Sequence, residues 1–86
     1  MSRRIIVVDD TRVVHAQMIK LLEGTDYEIV ECCQDGESAV RAYKKHKPDL
    51  VTMDIIMPGM DGLETAKKIL GQCPDAKIVM VTSLAY

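Results

Sequence analysis

Three aspartates follow two apolar runs, and their placement suits metal and phosphoryl chemistry. Ile5-Ile6-Val7-Val8 leads into Asp9-Asp10, and Leu50-Val51-Thr52-Met53 leads into Asp54. A third apolar run, Ile78-Val79-Met80-Val81, leads into Thr82-Ser83, and Tyr86 is the last residue. An acid directly after a strand sits at the carboxyl edge of a sheet, where open α/β folds keep their sites. Carboxylates gathered there repel one another unless a cation compensates. Their hard oxygens suit Mg2+, which accepts one or two carboxylates, keeps water and shares a substrate phosphate. A carboxylate beside such an ion can attack a phosphoryl group and form an aspartyl phosphate. Thr82 adds a hydroxyl suited to bonding one phosphoryl oxygen. A single aspartate at a strand end is ordinarily a cap or turn residue. Asp9, Asp10 and Asp54 together, with the loop Met57-Pro58-Gly59-Met60-Asp61-Gly62, point instead to a phosphoacceptor site.

The elements that must position these acids alternate along the chain. Arg4 to Val8 reads as a strand buried on both faces, because it lacks polar alternation. A helix is predicted from about Arg12 to Glu23, with Val14, Met18, Leu21 and Leu22 on its apolar stripe and Gly24 at its stop. Tyr27 to Cys32 is a second strand, and Glu28 and Glu31 suit it to an edge. Asp35-Gly36 starts a second helix, with Ala39, Val40 and Tyr43 facing one way. Lys44, Lys45, His46 and Lys47 lie at its end, where cations suit the helix dipole. Pro48-Asp49 launches the third strand. Asp61, with Glu64 three residues on, caps a third helix whose stripe is Leu63, Ala66 and Leu70 and whose stop is Gly71. Lys77 to Thr82 is the fourth strand. The βαβαβαβ order predicts one α/β unit with a parallel sheet and helices on both faces.

Composition narrows the function classes. Eighty-six residues allow one domain, and the formal charge of −2 gives no general pull toward nucleic acid or anionic membrane. No apolar run approaches a membrane span. The three cysteines, Cys32, Cys33 and Cys73, form no CxxC pair and fit a reduced, cytoplasmic setting without a disulfide framework or zinc. His15, mid-helix on a mixed face, and His46, in the Lys-rich helix end, read as structural and solvated. The methionines read as core and loop filler, with Met57 and Met60 the exceptions open to partner contact.

The chain resembles the CheY-like receiver domains of bacterial two-component response regulators. The matching residues are Ile6 to Asp10, Pro48 to Gly62 and Val81-Thr82-Ser83. The middle block is the most specific, and the resemblance covers the whole chain. It implies a flavodoxin-like sheet of order 2-1-3-4. It implies that Asp54 accepts a phosphoryl group from a sensor histidine kinase. It implies Mg2+ held by Asp9, Asp10, Asp54 and the backbone carbonyl of Ile56, with Asp10 the closer of the first two. Thr82 becomes the switch hydroxyl that moves onto the phosphoryl group.

The family pattern continues with a helix, a fifth strand ending in a lysine, and a last helix. Residues 1–86 are therefore expected to form a receiver incomplete at its carboxyl end, with no equivalent of that lysine: Lys77 starts the fourth strand, at the wrong end of the sheet. The fourth strand then becomes an uncharged edge, which predicts self-association, as a homodimer first, through that strand or an uncovered sheet face. Two readings stand: a phosphoacceptor signalling module that is a switch rather than an enzyme, and a self-associating structural fragment that keeps its acids as inheritance. An aspartate-nucleophile phosphatase is disfavoured, because Asp54 is followed by Ile55-Ile56 with no second acid to protonate a leaving group.

Overall fold

A computed structural model describes residues 3–57 and 59–81. Arg3–Val8 (β1) carries an unbroken apolar run, and Ile5 to Val8 are buried on both sides of the sheet. Parallel strands flank it: Tyr27–Cys33 (β2) on one side and Leu50–Asp54 (β3) on the other. Ile78–Val81 (β4) adds to β3, so the order is β2-β1-β3-β4, as expected. Arg12–Leu21 (α1) follows β1, Gly36–His46 (α2) follows β2, and Gly62–Gln72 (α3) follows β3.

The two faces are covered differently. Ile6, Val8, Val51 and Met53 meet Ala39, Ala42 and Tyr43 of α2 and Ile69 of α3 in the main core. On the opposite face, Val14 and Met18 of α1 lie over Val7, Thr52 and Val81 around a small apolar cavity of about 60 Å3. Burying a Val, Leu, Ile or Met side chain contributes roughly 1.5–3 kcal/mol, so most of the stabilisation sits under α2 and α3.

Three helix details differ from the sequence expectations. α1 stops at Leu21, with the Leu22 N–H closing on the Met18 carbonyl and the Glu23 N–H on that of Lys20. Its inward face carries Val14, His15, Met18 and Leu22, while Leu21 is 72% exposed. On α3 the buried residues are Gly62, Thr65, Ala66 and Ile69, whereas Leu63 and Leu70 are 53% and 41% exposed. The cause is the close seating of α3 on the end of β3. A Cβ on Gly62 would overlap the Asp54 carbonyl, so that contact sets which face of α3 turns inward. On α2, Ala39, Ala42 and Tyr43 are buried and Val40 is half-buried.

The amino edge of the sheet is tied together by polar contacts. Arg4 N–H donates to the Asp49 carboxylate at 2.7 Å, and Asp49 N–H donates to the Arg4 carbonyl at 2.8 Å. The Arg4 guanidinium donates to the His46 carbonyl at the end of α2 and stands 3.4 Å from His46 Nδ1. His46 Nε2 lies 2.8 Å from a Glu31 carboxylate oxygen. His46 is therefore a half-buried, bonded residue, not a solvated one. A bulge in β2 makes this possible: Ile5 pairs with Ile29 but Ile6 pairs with Glu31, so Val30 is the extra residue and Glu31 takes the α2 side. Lys47 ends α2 in the left-handed region at φ 45°, a conformation uncommon for a side chain with a Cβ.

Candidate functional site

The strand order changes direction between β1 and β3. From β1 the chain crosses to β2 on one side, then returns beyond β1 to β3 and β4. In open α/β sheets that reversal opens a crevice at the carboxyl ends of the strands. Val8 and Met53 are register partners, so Asp9 and Asp54 emerge side by side there.

The three carboxylates do meet. Asp9, Asp10 and Asp54 each offer an oxygen within 4.8 Å of the others. Asp9 and Asp54 are buried, at 4% and 2% exposure, and Asp10 faces solvent. Asp54 Oδ1 accepts the Ile56 N–H at 3.3 Å. Ile56 is itself 60% exposed, so its peptide lies at the mouth of the cluster. Val81 pairs with Asp54, and Ile55 N–H donates to the Val81 carbonyl at 3.1 Å, so the end of β4 reaches the same edge. Thr82 lies outside the described residues. Lys77 precedes β4, at the amino edge, because Ile78 pairs with Val51 there.

Burial pushes the Asp54 carboxyl above the ordinary aspartate range, and the charges of Asp9 and Asp10 push it further, against the Ile56 N–H bond. The site is thus a knot of negative charge, with no ion pair to it among the described residues and with one exposed and two buried oxygen donors. That donor set fits a hard divalent cation with open positions for water or a phosphoryl oxygen.

Two supporting roles escaped the sequence reading. Thr11 donates both its N–H and its hydroxyl to Asp9 Oδ1, at 2.9 and 3.0 Å. This fixes one oxygen of Asp9, and the signal was an aspartate followed two residues later by threonine, an Asx-turn spacing. Gly62 is the second: its N–H donates to the Ile55 carbonyl at 3.0 Å and its missing Cβ leaves room for the Asp54 carbonyl. Asp61 caps α3 as expected, accepting the Glu64 N–H at 2.9 Å. Met57 is buried in the core, and Met60 is half-buried near Gly36, where a Cβ would lie 3.1 Å from its sulfur. The thiols stand apart from this chemistry. Burial, with Glu31 next, raises Cys33 to about 11, and Cys32 is raised for the same reasons.

A family model described as the response regulator receiver domain matches residues 5–85. Chemotaxis protein CheY of Bacillus subtilis is 39% identical over 84 residues, covering 98% of this chain and 70% of that protein. Chemotaxis protein CheY of Listeria monocytogenes is 36% identical over 81 residues, covering 94% and 68%. The response regulator TrrA from Thermotoga maritima, solved in complex with Mg2+-BeF, superposes with a TM-score of 0.88 at 37% identity, covering 96% and 71%. The CheX-CheY-BeF3-Mg2+ complex from Borrelia burgdorferi gives a TM-score of 0.90 at 31% identity, covering 98% of this chain and 64% of that one. The chain thus spans about two thirds of the length of its relatives.

Proposed function

The chain belongs to the response regulator receiver family of two-component signalling, and from that premise we propose that it is a phosphoacceptor switch working through Asp54. The carrying observation is the buried Asp54 at the end of β3, with Asp9 and Asp10 oxygens within 4.8 Å. An oxygen of Asp54 attacks the phosphorus of a phosphohistidine on a sensor histidine kinase. A P–O bond forms as the P–N bond breaks, and the histidine nitrogen keeps the bonding pair. Asp9, Asp10, Asp54 and the Ile56 carbonyl would hold Mg2+, with Asp10 nearer than Asp9. When bound, the ion offsets charge on the phosphoryl oxygens. Thr11 holds Asp9 in place, and the Ile56 N–H holds one Asp54 oxygen. Thr82, the residue after Val81, is the proposed switch hydroxyl that bonds the new phosphoryl group. The domain assigned this role is residues 1–86, a switch rather than an enzyme, with the reduced cytoplasm as its compartment. The free cysteines are consistent with that compartment, and no helix among the described residues is long and apolar enough to cross a membrane.

The test is exposure to a small acyl-phosphate donor with Mg2+, read by intact mass. One phosphoryl adduct on wild type and none on Asp54→Asn is the expected result. An equal adduct on both, or none on either, contradicts the reading.

A second reading is favoured by Val79 and Val81, which are 49% and 41% exposed on a strand at the edge of the described sheet. In it, residues 1–86 pair β4 with β4 of a second copy, as a symmetric dimer. Light scattering at micromolar concentration tests it: a dimer that Val79→Lys converts to monomer supports the pairing, and a wild-type monomer contradicts it.

A further inference from the structure

Thr11 stands at the N-cap position of α1 with extended backbone, φ −114° and ψ 139°, yet its side chain makes no capping bond. A threonine there ordinarily turns its hydroxyl oxygen onto an N–H of the first helical turn. The first turn of α1 also lacks an acidic residue that could take over the task. The hydroxyl donates instead to Asp9 Oδ1 at 3.0 Å, beside the Thr11 N–H at 2.9 Å. The helix start forgoes its cap, and the carboxylate gains a second donor.

This leaves Asp9 with little freedom. An ionised carboxylate has roughly four acceptor sites, shared equally by its oxygens. Thr11 fills both sites on Oδ1 and leaves Oδ2 open to an ion. The Asp9 N–H is bonded to the Cys33 carbonyl at 2.9 Å, so its backbone is fixed to β2 as well. At 4% exposure the side chain has no room to turn its oxygens over. The other two acids are freer. Asp54 Oδ1 accepts one N–H, that of Ile56, at 3.3 Å, and Asp10 faces solvent.

That asymmetry bears on which divalent cation the site prefers. Mg2+ requires a near-ideal octahedron of short bonds, keeps several waters and takes single carboxylate oxygens. Ca2+ is larger, takes about six to eight oxygens, and accepts both oxygens of one carboxylate. A carboxylate confined to one oxygen suits the first ion and handicaps the second.

We propose that Thr11 is a positioning residue that sets the site's choice of cation. By occupying Asp9 Oδ1 it confines Asp9 to one ligand oxygen and favours Mg2+ over Ca2+. The inference rests on the metal-binding reading of Asp9, Asp10 and Asp54 given above. It adds to that reading a determinant of selectivity outside the acids themselves.

The test titrates Mg2+ alone and Ca2+ alone into the isotope-labelled full chain, without a phosphodonor. Amide NMR follows Asp10, Thr11, Asp54 and Ile56. Thr11→Val removes the hydroxyl at similar shape and keeps the N–H bond, whereas Thr11→Ser keeps both donors. Thr11 is exposed, so both variants retain the folded spectrum. Wild type is expected to bind Mg2+ more tightly than Ca2+. Thr11→Val lowers that preference about tenfold, at the low end of what losing the support of a metal ligand costs, because Oδ1 regains an open site. Thr11→Ser retains the wild-type preference. If Thr11→Val weakens both ions alike, or neither, the inference is overturned and the metal reading stands. A Thr11→Ser variant that behaves like Thr11→Val overturns it as well. No saturable shift with either ion in wild type overturns the inference and the metal reading together.

Discussion

The two ends of one sheet treat their polar groups in opposite ways. At the amino edge Arg4, Glu31, His46 and Asp49 answer one another through hydrogen bonds that link β1, β2 and α2. At the carboxyl edge Asp9, Asp10 and Asp54 crowd together, and burial and like charge raise Asp54. The first arrangement holds the strands in place. The second works against the fold and persists because the sheet reversal forces β1 and β3 to end together. Polar groups that satisfy each other make scaffold; charges left for an outside ion or phosphoryl group make a site.

Substitutions at the two ends test that contrast. The largest effect falls on Asp54→Asn, which abolishes the adduct yet stabilises the protein when divalent cations are absent. The sign follows from linkage. A carboxyl raised in the folded state contributes stability present below its unfolded value and lost as pH rises through the folded one. Above its folded value the ionised Asp54 is therefore a burden that asparagine removes. Denaturation with and without Mg2+ checks this, and Mg2+ should stabilise wild type far more than the variant. Next comes Gly62→Ala, expected to cost about 1–3 kcal/mol by urea denaturation, since its Cβ has no space beside the Asp54 carbonyl. Arg4→Met, at the satisfied edge, should cost about 1–2 kcal/mol through the partners it strands while leaving adduct formation unchanged. The smallest effect is Asp35→Ala at the α2 cap, about 1 kcal/mol. Ser38 donates its N–H to Asp35 at 2.8 Å and holds that carboxyl below the ordinary range. Its contribution is present above the unfolded value and lost as pH falls through the folded one, so the variant and wild type should converge in acid.

Much of this was legible in the residue order, and the rest was hidden for identifiable reasons. An apolar run ending in an acid reads directly as a strand with a carboxylate at its tip, which is why Asp9, Asp10 and Asp54 were found together. Asp35 announced its helix through the Asp35-Gly36 turn, and Asp61 through Glu64 three residues on. Helix rotation was not legible. Leu63 and Leu70 have the right period for a core stripe, but α3 buries Thr65 and Ile69 because Gly62 sits on β3. The role of His46 was hidden as well, since its partners Glu31 and Arg4 are distant in sequence and Glu31 turns toward it only through the β2 bulge. Thr11 carries no charge, and its support of Asp9 arises only from the turn at the end of β1.

The most direct test of the central claim is to locate the phosphoryl group. After exposure to an acyl-phosphate donor with Mg2+, hydride reduction of the acyl phosphate would convert the modified aspartate to homoserine, which peptide mass spectrometry can place. Conversion at Asp54 alone, with Asp9 and Asp10 intact, is the predicted result. Conversion at Asp9 or Asp10, or spread across the three, would contradict the division of one buried nucleophile and two metal-holding acids.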